Sequence, residues 1–175
     1  MFSRLEDFNN AWKEEVEDTL NVLKAIPEEA LGQAVAPGYR DLRRLAWHLA
    51  DSIGSIAAQI GLHVEGPARS GDARGSISEA PPQHAPAILA AYTRSAESLL
   101  EALKAWDDAD LQKVDLMFGQ LQWKRGQSLQ GLLVHQVHHR GQMTVLMRQA
   151  GLPVPAIYGP TREGWAALGM PAPAI

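Results

Sequence analysis

Apolar residues recur along most of this chain at helical spacing, and four long stretches carry the pattern. Leu5, Phe8, Trp12, Val16, Leu20 and Leu23 follow one another at intervals of three and four, the stripe an amphipathic helix turns toward a core. Ser3 and Glu6 have capping-box spacing, and Pro27 cannot continue a helix. The first helix is therefore expected from about residue 4 to about residue 25. The segment from Pro27 to Tyr39 reads as a loop, or as a short turn of helix between two prolines. Asp41 then opens a second helix, with Leu42, Leu45, Leu49, Ile53, Ile56 and Ile60 on its apolar face and Gly61 at its end. A third is expected from Ala85 to Trp106, buried through Ile88, Tyr92, Ala96, Leu99, Leu103 and Trp106.

After Trp106 the period changes. Val114, Leu116 and Phe118 alternate with polar or flexible neighbours, Gly119-Gln120 suits a two-residue turn, and Leu121 and Trp123 follow. This reads as a short hairpin. A fourth helix is expected from Gly126 to Gln149, stopped by Gly151. The Pro-rich tail has room for one short helix after Pro160. Residues 64 to 83 are rich in Gly, Pro, Ser and charge, and a linker of this length inside a compact domain calls for a reason. Parallel second and third helices supply one, since the chain must then return along the molecule. A helix of roughly 22 residues spans about 33 Å, and a linker of about 20 residues reaches about 66 Å at full extension. The expected fold is all-α: a four-helix bundle, residues 1–175 as a single domain, with a long crossover between helices 2 and 3 and a hairpin before helix 4.

Composition narrows the chemistry. The chain has no cysteine, which removes disulfide scaffolds, iron–sulfur clusters and cysteine nucleophiles. Any metal site must use His, Asp and Glu. The net charge of −4 comes from interspersed acids and bases, without the basic stripe that a phosphate backbone requires, so no nucleic-acid partner is expected. No apolar run is long enough to span a bilayer, and the N-terminus lacks the apolar core of a signal peptide. The expected location is the cytoplasm, away from membranes.

Three of the six histidines lie together in His135-Gln-Val-His138-His139. His135 and His139 are four apart, so on a helix both imidazoles leave one face and can reach one metal ion. Leu132, His135, His139, Gln142 and Leu146 form a core-facing stripe. The two rings thus interrupt an apolar seam, where unpartnered polar groups are costly and a metal ion would remove the cost. His48 is the histidine in the middle of another expected helix and is the candidate third ligand. Asp51, one turn on, is placed to accept a hydrogen bond from an imidazole. Arg140 either pairs with an acid or orients an anionic substrate, and Gln142 either bonds a ligand water or is an ordinary satisfied amide. His138 lies off the stripe. From the residues alone, hydrogen-bonded core histidines remain the alternative to a metal site.

The run HQVHHRGQ at 135–142 resembles the H-x-x-x-H-R-G-Q signature of the DinB-like family of metal-binding four-helix bundles. Leu45-Ala-Trp-His-Leu-Ala-Asp-Ser52 resembles the second-helix motif of that family, and Gly151-Leu-Pro with Ile157-Tyr-Gly-Pro160 resembles its tail. The resemblance implies ligation by His48, His135 and His139, a zinc or nickel ion with open positions, and a homodimer. It also brings in bacillithiol transferases and the mycothiol-dependent maleylpyruvate isomerase as related members. Three neutral ligands leave the ion's charge uncompensated, which suits a reactive ion better than a structural one. Such an ion can stabilise a thiolate. The expected function is accordingly a metal-dependent thiol S-transferase acting on a small electrophile with a low-molecular-weight thiol. A metal-dependent hydrolase or isomerase, and a non-catalytic metal-binding stress-response protein, are the alternatives. A metallopeptidase is disfavoured, because Gln136 stands where the H-E-x-x-H helix carries its base.

Overall fold

The computed structural model describes residues 1–67 and 80–174. It contains four long helices, α1 (Leu5–Lys24), α2 (Leu42–Gln59), α3 (Ala85–Leu103) and α4 (Arg125–Gln149), and a two-stranded antiparallel sheet of β1 (Val114–Met117) and β2 (Leu121–Lys124). Short 3₁₀ turns occupy Glu28–Ala30, Asp110–Gln112 and Ala166–Leu168. The last of these is the short helix expected after Pro160. No helix among the described residues is long and apolar enough to cross a membrane.

One core runs through all four helices. Phe8 and Trp12 of α1, every expected apolar position of α2, Ile88, Tyr92, Ala96, Leu99 and Leu103 of α3, and Leu129, Leu132 and Met143 of α4 are buried in it. Helix α2 packs on α3 and α4, and α1 packs on the same two. The Trp12 indole N–H donates to the Ala96 carbonyl across α1 and α3 at 3.2 Å. The N-terminal ends of α1 and α4 meet where Phe2 N–H donates to the Gly126 carbonyl. Glu65, just past α2, donates its backbone N–H to Ser98 Oγ late in α3, while His84 at the start of α3 pairs with Glu28, ahead of α2. The linker expected over residues 64 to 83 has its central part, 68–79, outside the described residues.

The expected boundaries need three corrections. Ser3 and Glu6 make no capping box. Arg4 occupies the N-cap without a side-chain cap bond, and the free Leu5 N–H is instead accepted by Asp108 Oδ1 at 2.8 Å from a distant loop. Helix α3 stops at Leu103, three residues before Trp106. Trp106 leaves the helical stripe to stack under the Arg125 guanidinium, 4.5 Å from the ring centre, a favourable cation–aromatic contact. The hairpin loop has three residues rather than two. Met117 pairs with Leu121, and Phe118 and Gly119 both take positive φ, 53° and 72°. Asp41 does cap α2 as expected, accepting from Arg44 N–H at 2.7 Å, and Gly151 follows α4 with φ of 73°.

Candidate metal centre

The side chains of His48, His135 and His139 converge between α2 and α4, with their potential ligand atoms all within 4.8 Å of one another. Two local features bring them there. The four-residue step in α4 stacks His135 over His139, with ring centres 4.4 Å apart. Gln136, wholly buried beside them, reaches across to α2 and donates to the Leu49 carbonyl at 3.2 Å and to Ser52 Oγ at 3.1 Å. Leu49 adjoins His48, so this amide sets the rotation and height of α4 against the helix carrying the third ring.

The rings face one another edge-on, His48 lying 4.9 Å from His135 and 4.6 Å from His139 between centres. His48 Nε2 is 3.2 Å from His135 Nε2. Around an ion bound at ~2.1 Å, neighbouring ligand nitrogens lie about 3.0 Å apart in octahedral and about 3.4 Å apart in tetrahedral geometry. The observed spacing falls between these. The Nδ1 of His139 hydrogen-bonds Gln142 Oε1 at 2.7 Å. Donation from that nitrogen fixes the tautomer that leaves the Nε2 lone pair free, the usual support given to a ligating imidazole. The residues present therefore fit one divalent cation.

The electrostatics favour neutral, ligand-ready rings. Burial, then the charge of His135, pulls His48 down to about 3. Burial, then His139, pulls His135 down to about 4. His139 is lowered as well, again chiefly by burial. Arg40 adds to the lowering of all three.

The remaining expected site residues are placed as follows. Asp51 is buried one turn beyond His48, 2% exposed. The Nδ1 atoms of His48 and His135 have no hydrogen-bond partner among the described residues, so the acceptor role expected of Asp51 is not made in this arrangement. His138 is exposed and accepts from the Gln142 amide at 3.2 Å. Arg140 faces away from the cluster. It is 1% exposed and donates to the Glu15 carbonyl at 2.9 Å, Thr19 Oγ1 at 3.0 Å, the Glu15 carboxylate and the Tyr158 hydroxyl. Tyr158 in turn donates to Glu15, which fastens the C-terminal tail onto α1 and α4. Of the two roles open to Arg140, pairing with an acid is the one observed.

The bridging role of Gln136 was not foreseen, and neither were the partners of Arg140, Glu15, Thr19 and Tyr158, although pairing with an acid was one of its two expected roles. Gln136 gave a signal, a polar residue next to His135 at a helical step that faces α2. Glu15 and Thr19 gave a weaker one, as polar residues lying between apolar positions of α1. A cleft of about 490 Å³ beside His139, lined by Val35, Tyr39, Arg40, Leu45, Gln142, Val145 and Leu146, was also unforeseen.

A helical protein carrying a three-histidine cluster between two helices is the class that the fold and site define. The chain belongs to the DinB family, whose model matches residues 1–172. It is 39% identical over 174 residues to the uncharacterised protein YrdA of Bacillus subtilis (strain 168), covering 99% of both chains. It superposes on the crystal structure of a DinB-like protein from Bacillus cereus ATCC 10987 with a TM-score of 0.80 and 37% identity, over 90% of this chain and 100% of that one. A second DinB-like protein, YjoA of Bacillus subtilis, aligns with a TM-score of 0.65 over 87% of this chain and 98% of its own. At 16% identity it supports the fold alone.

Proposed function

We propose that His48, His135 and His139 hold one divalent metal ion, zinc or nickel, and that the protein is a metal-dependent thiol S-transferase acting on a small electrophile. The observation that carries the reading is the convergence of three neutral imidazoles at ligand spacing. When bound, such an ion lowers the pKa of a coordinated thiol or water and so supplies a nucleophile near neutral pH. The protein's own residues prepare that position. Gln142 orients His139, Gln136 holds α4 against α2, and burial keeps the rings unprotonated. In the transfer, the thiol gives up its proton to solvent, its sulfur forms a bond to the electrophilic carbon, and the bond from that carbon to its leaving group breaks, the leaving group departing with the electron pair and taking up a proton from solvent. Gln136 lacks the carboxylate that a peptidase would need, and its amide is committed to α2.

The same proposal takes the four helices as a bundle in which α2 and α3 run parallel, joined by a crossover. The pairing of Glu65 with Ser98 at one end and His84 with Glu28 at the other supports it. A homodimer belongs to the proposal on family resemblance, and a cytoplasmic location belongs to it on the sequence pattern. The test is a thiol titration of protein loaded with Co²⁺, followed by its ligand-field bands. The reading expects a thiol to shift the bands and His135→Ala to abolish the shift, together with consumption of the thiol when an electrophile is added. Bands indifferent to thiols would overturn the transferase. A hydrolase or isomerase would then be the better reading if small anions still shifted them, and a non-catalytic metal protein if nothing did.

A further inference from the structure

The cleft beside His139 has walls of a consistent kind. It is lined by Leu45 of α2, Val145 and Leu146 of α4, and Val35 and Tyr39 of the connecting loop. Val35, Tyr39 and Val145 are large apolar groups left more than half exposed, at 58%, 70% and 55%. Among the described residues lining this surface, Arg40 is the one Arg or Lys, and it is exposed.

The loop that presents Arg40 is built to hold it. Ala36-Pro37-Gly38-Tyr39 has the composition of a type II turn, proline second and a positive-φ glycine third, with φ of 84° at Gly38. Tyr39 N–H closes the turn on the Ala36 carbonyl at 3.2 Å. The ends of the loop are tied by the Ala34–Asp41 bridge and by Leu42 N–H to the Gln33 carbonyl at 2.9 Å. With its backbone fixed in this way, the exposed Arg40 makes no ion pair or hydrogen bond with any described residue, whereas the neighbouring Arg43 guanidinium lies 3.6 Å from Asp41 Oδ2. An unpaired guanidinium is a fork of donors suited to two carboxylate oxygens. A volume of about 490 Å³ lies in the range of small-molecule sites, which combine apolar walls with few polar groups.

We propose that this cleft binds a small amphipathic carboxylate, its carboxylate group on Arg40 and its hydrocarbon body against Leu45, Val145 and Leu146, with His139 and Gln142 at the end of the cleft. This deepens the metal-centre reading by naming the class of substrate that approaches the ion, and it rests on that reading only for the ion. Its charge complementarity holds without a metal, because Arg40 is the one Arg or Lys among the described residues lining the cleft.

The experiment is calorimetric titration of the metal-free protein, then the zinc-loaded protein, with hexanoate, octanoate and octanol at pH 7.5. Octanoate is expected to bind both forms, more tightly than hexanoate by about fourfold per added CH₂, and at least tenfold more tightly than octanol. Arg40→Gln should lose at least tenfold for octanoate while leaving octanol and zinc content unchanged. Val145→Asp, an exposed change on α4, should weaken both ligands. The proposal is overturned if the metal-free protein binds no octanoate, if octanol binds equally well, or if Arg40→Gln binds octanoate like the parent. Zinc content, measured on the same samples, reports separately on the histidine site. A protein that binds octanoate through Arg40 but no metal keeps this inference and loses the metal-centre reading.

Discussion

Arg140→Met removes a guanidinium that is 1% exposed and leaves the Glu15 carboxylate, 12% exposed, with the Tyr158 hydroxyl as donor but without its cationic partner. The loss includes the donations to the Glu15 carbonyl, Thr19 Oγ1 and Tyr158 hydroxyl. Breaking a buried ion pair from one side costs about 3–5 kcal/mol, because the surviving charge stays desolvated. For a domain of this size that corresponds to a fall of roughly 6–20 °C in Tm. Glu15→Leu combined with Arg140→Met should recover a large part of the loss, since well-packed apolar groups often replace a buried pair at little cost. Tyr158→Phe removes only the hydroxyl of a largely exposed ring and should cost about 1 kcal/mol. Denaturant unfolding of the four proteins, metal-free, reads these differences. Because Arg140 points to α1 rather than to the histidines, the variant that remains folded should bind metal like the parent. An Arg140→Met protein within about 1 kcal/mol of the parent, or a double variant no more stable than the single one, would show that the buried pair does not carry this stability.

Further outcomes follow from other parts of the structure. Gly126→Ala would place a Cβ 2.1 Å from the Phe2 carbonyl oxygen, so it should destabilise by about 1–3 kcal/mol through forced separation of α4 from the N-terminus; unchanged unfolding would contradict that contact. Gln142→Leu removes the acceptor of His139 Nδ1 and should weaken metal affinity by about 10–100-fold in a chelator competition. Equal affinity would show that Gln142 does not orient the ligand. The metal-free protein should lose stability as pH falls below 6.5. His48 and His135 lie at about 3 and about 4 when folded, against an ordinary 6.5, so the unfolded chain binds more protons in that window and acid favours it. Unfolding midpoints of the parent and His48→Asn between pH 7 and pH 5 test this. The parent should show the steeper loss, and parallel curves would contradict the assignment.

Much of this was legible in the chain, for physical reasons that differ from element to element. The start and the buried face of helix α2 could be read because Asp41 caps it and all six apolar positions from Leu42 to Ile60 are buried, although the helix has 18 residues and ends at Gln59, short of the roughly 22 expected. The His135–His139 step was legible because helix periodicity alone puts both rings on one face. His48 could be proposed as their partner because it lies in the middle of another helix. What the sequence hid was long-range. Leu5 is capped by Asp108, over a hundred residues away. Arg140 meets Glu15 and Tyr158 from opposite ends of the chain. Trp106 follows helical spacing but leaves the helix to meet Arg125. Arg40 sits in a loop, where no periodicity says which way a side chain points.

The central claim is that three histidines form one metal centre. Elemental analysis of the purified protein after chelator competition tests it most directly, alongside His48→Ala, His135→Ala, His139→Ala and His138→Ala. One zinc or nickel ion per chain is expected in the parent and in His138→Ala, with loss of that ion in each of the other three. Full occupancy in any of those three, or a parent that holds no divalent ion after loading, would contradict it.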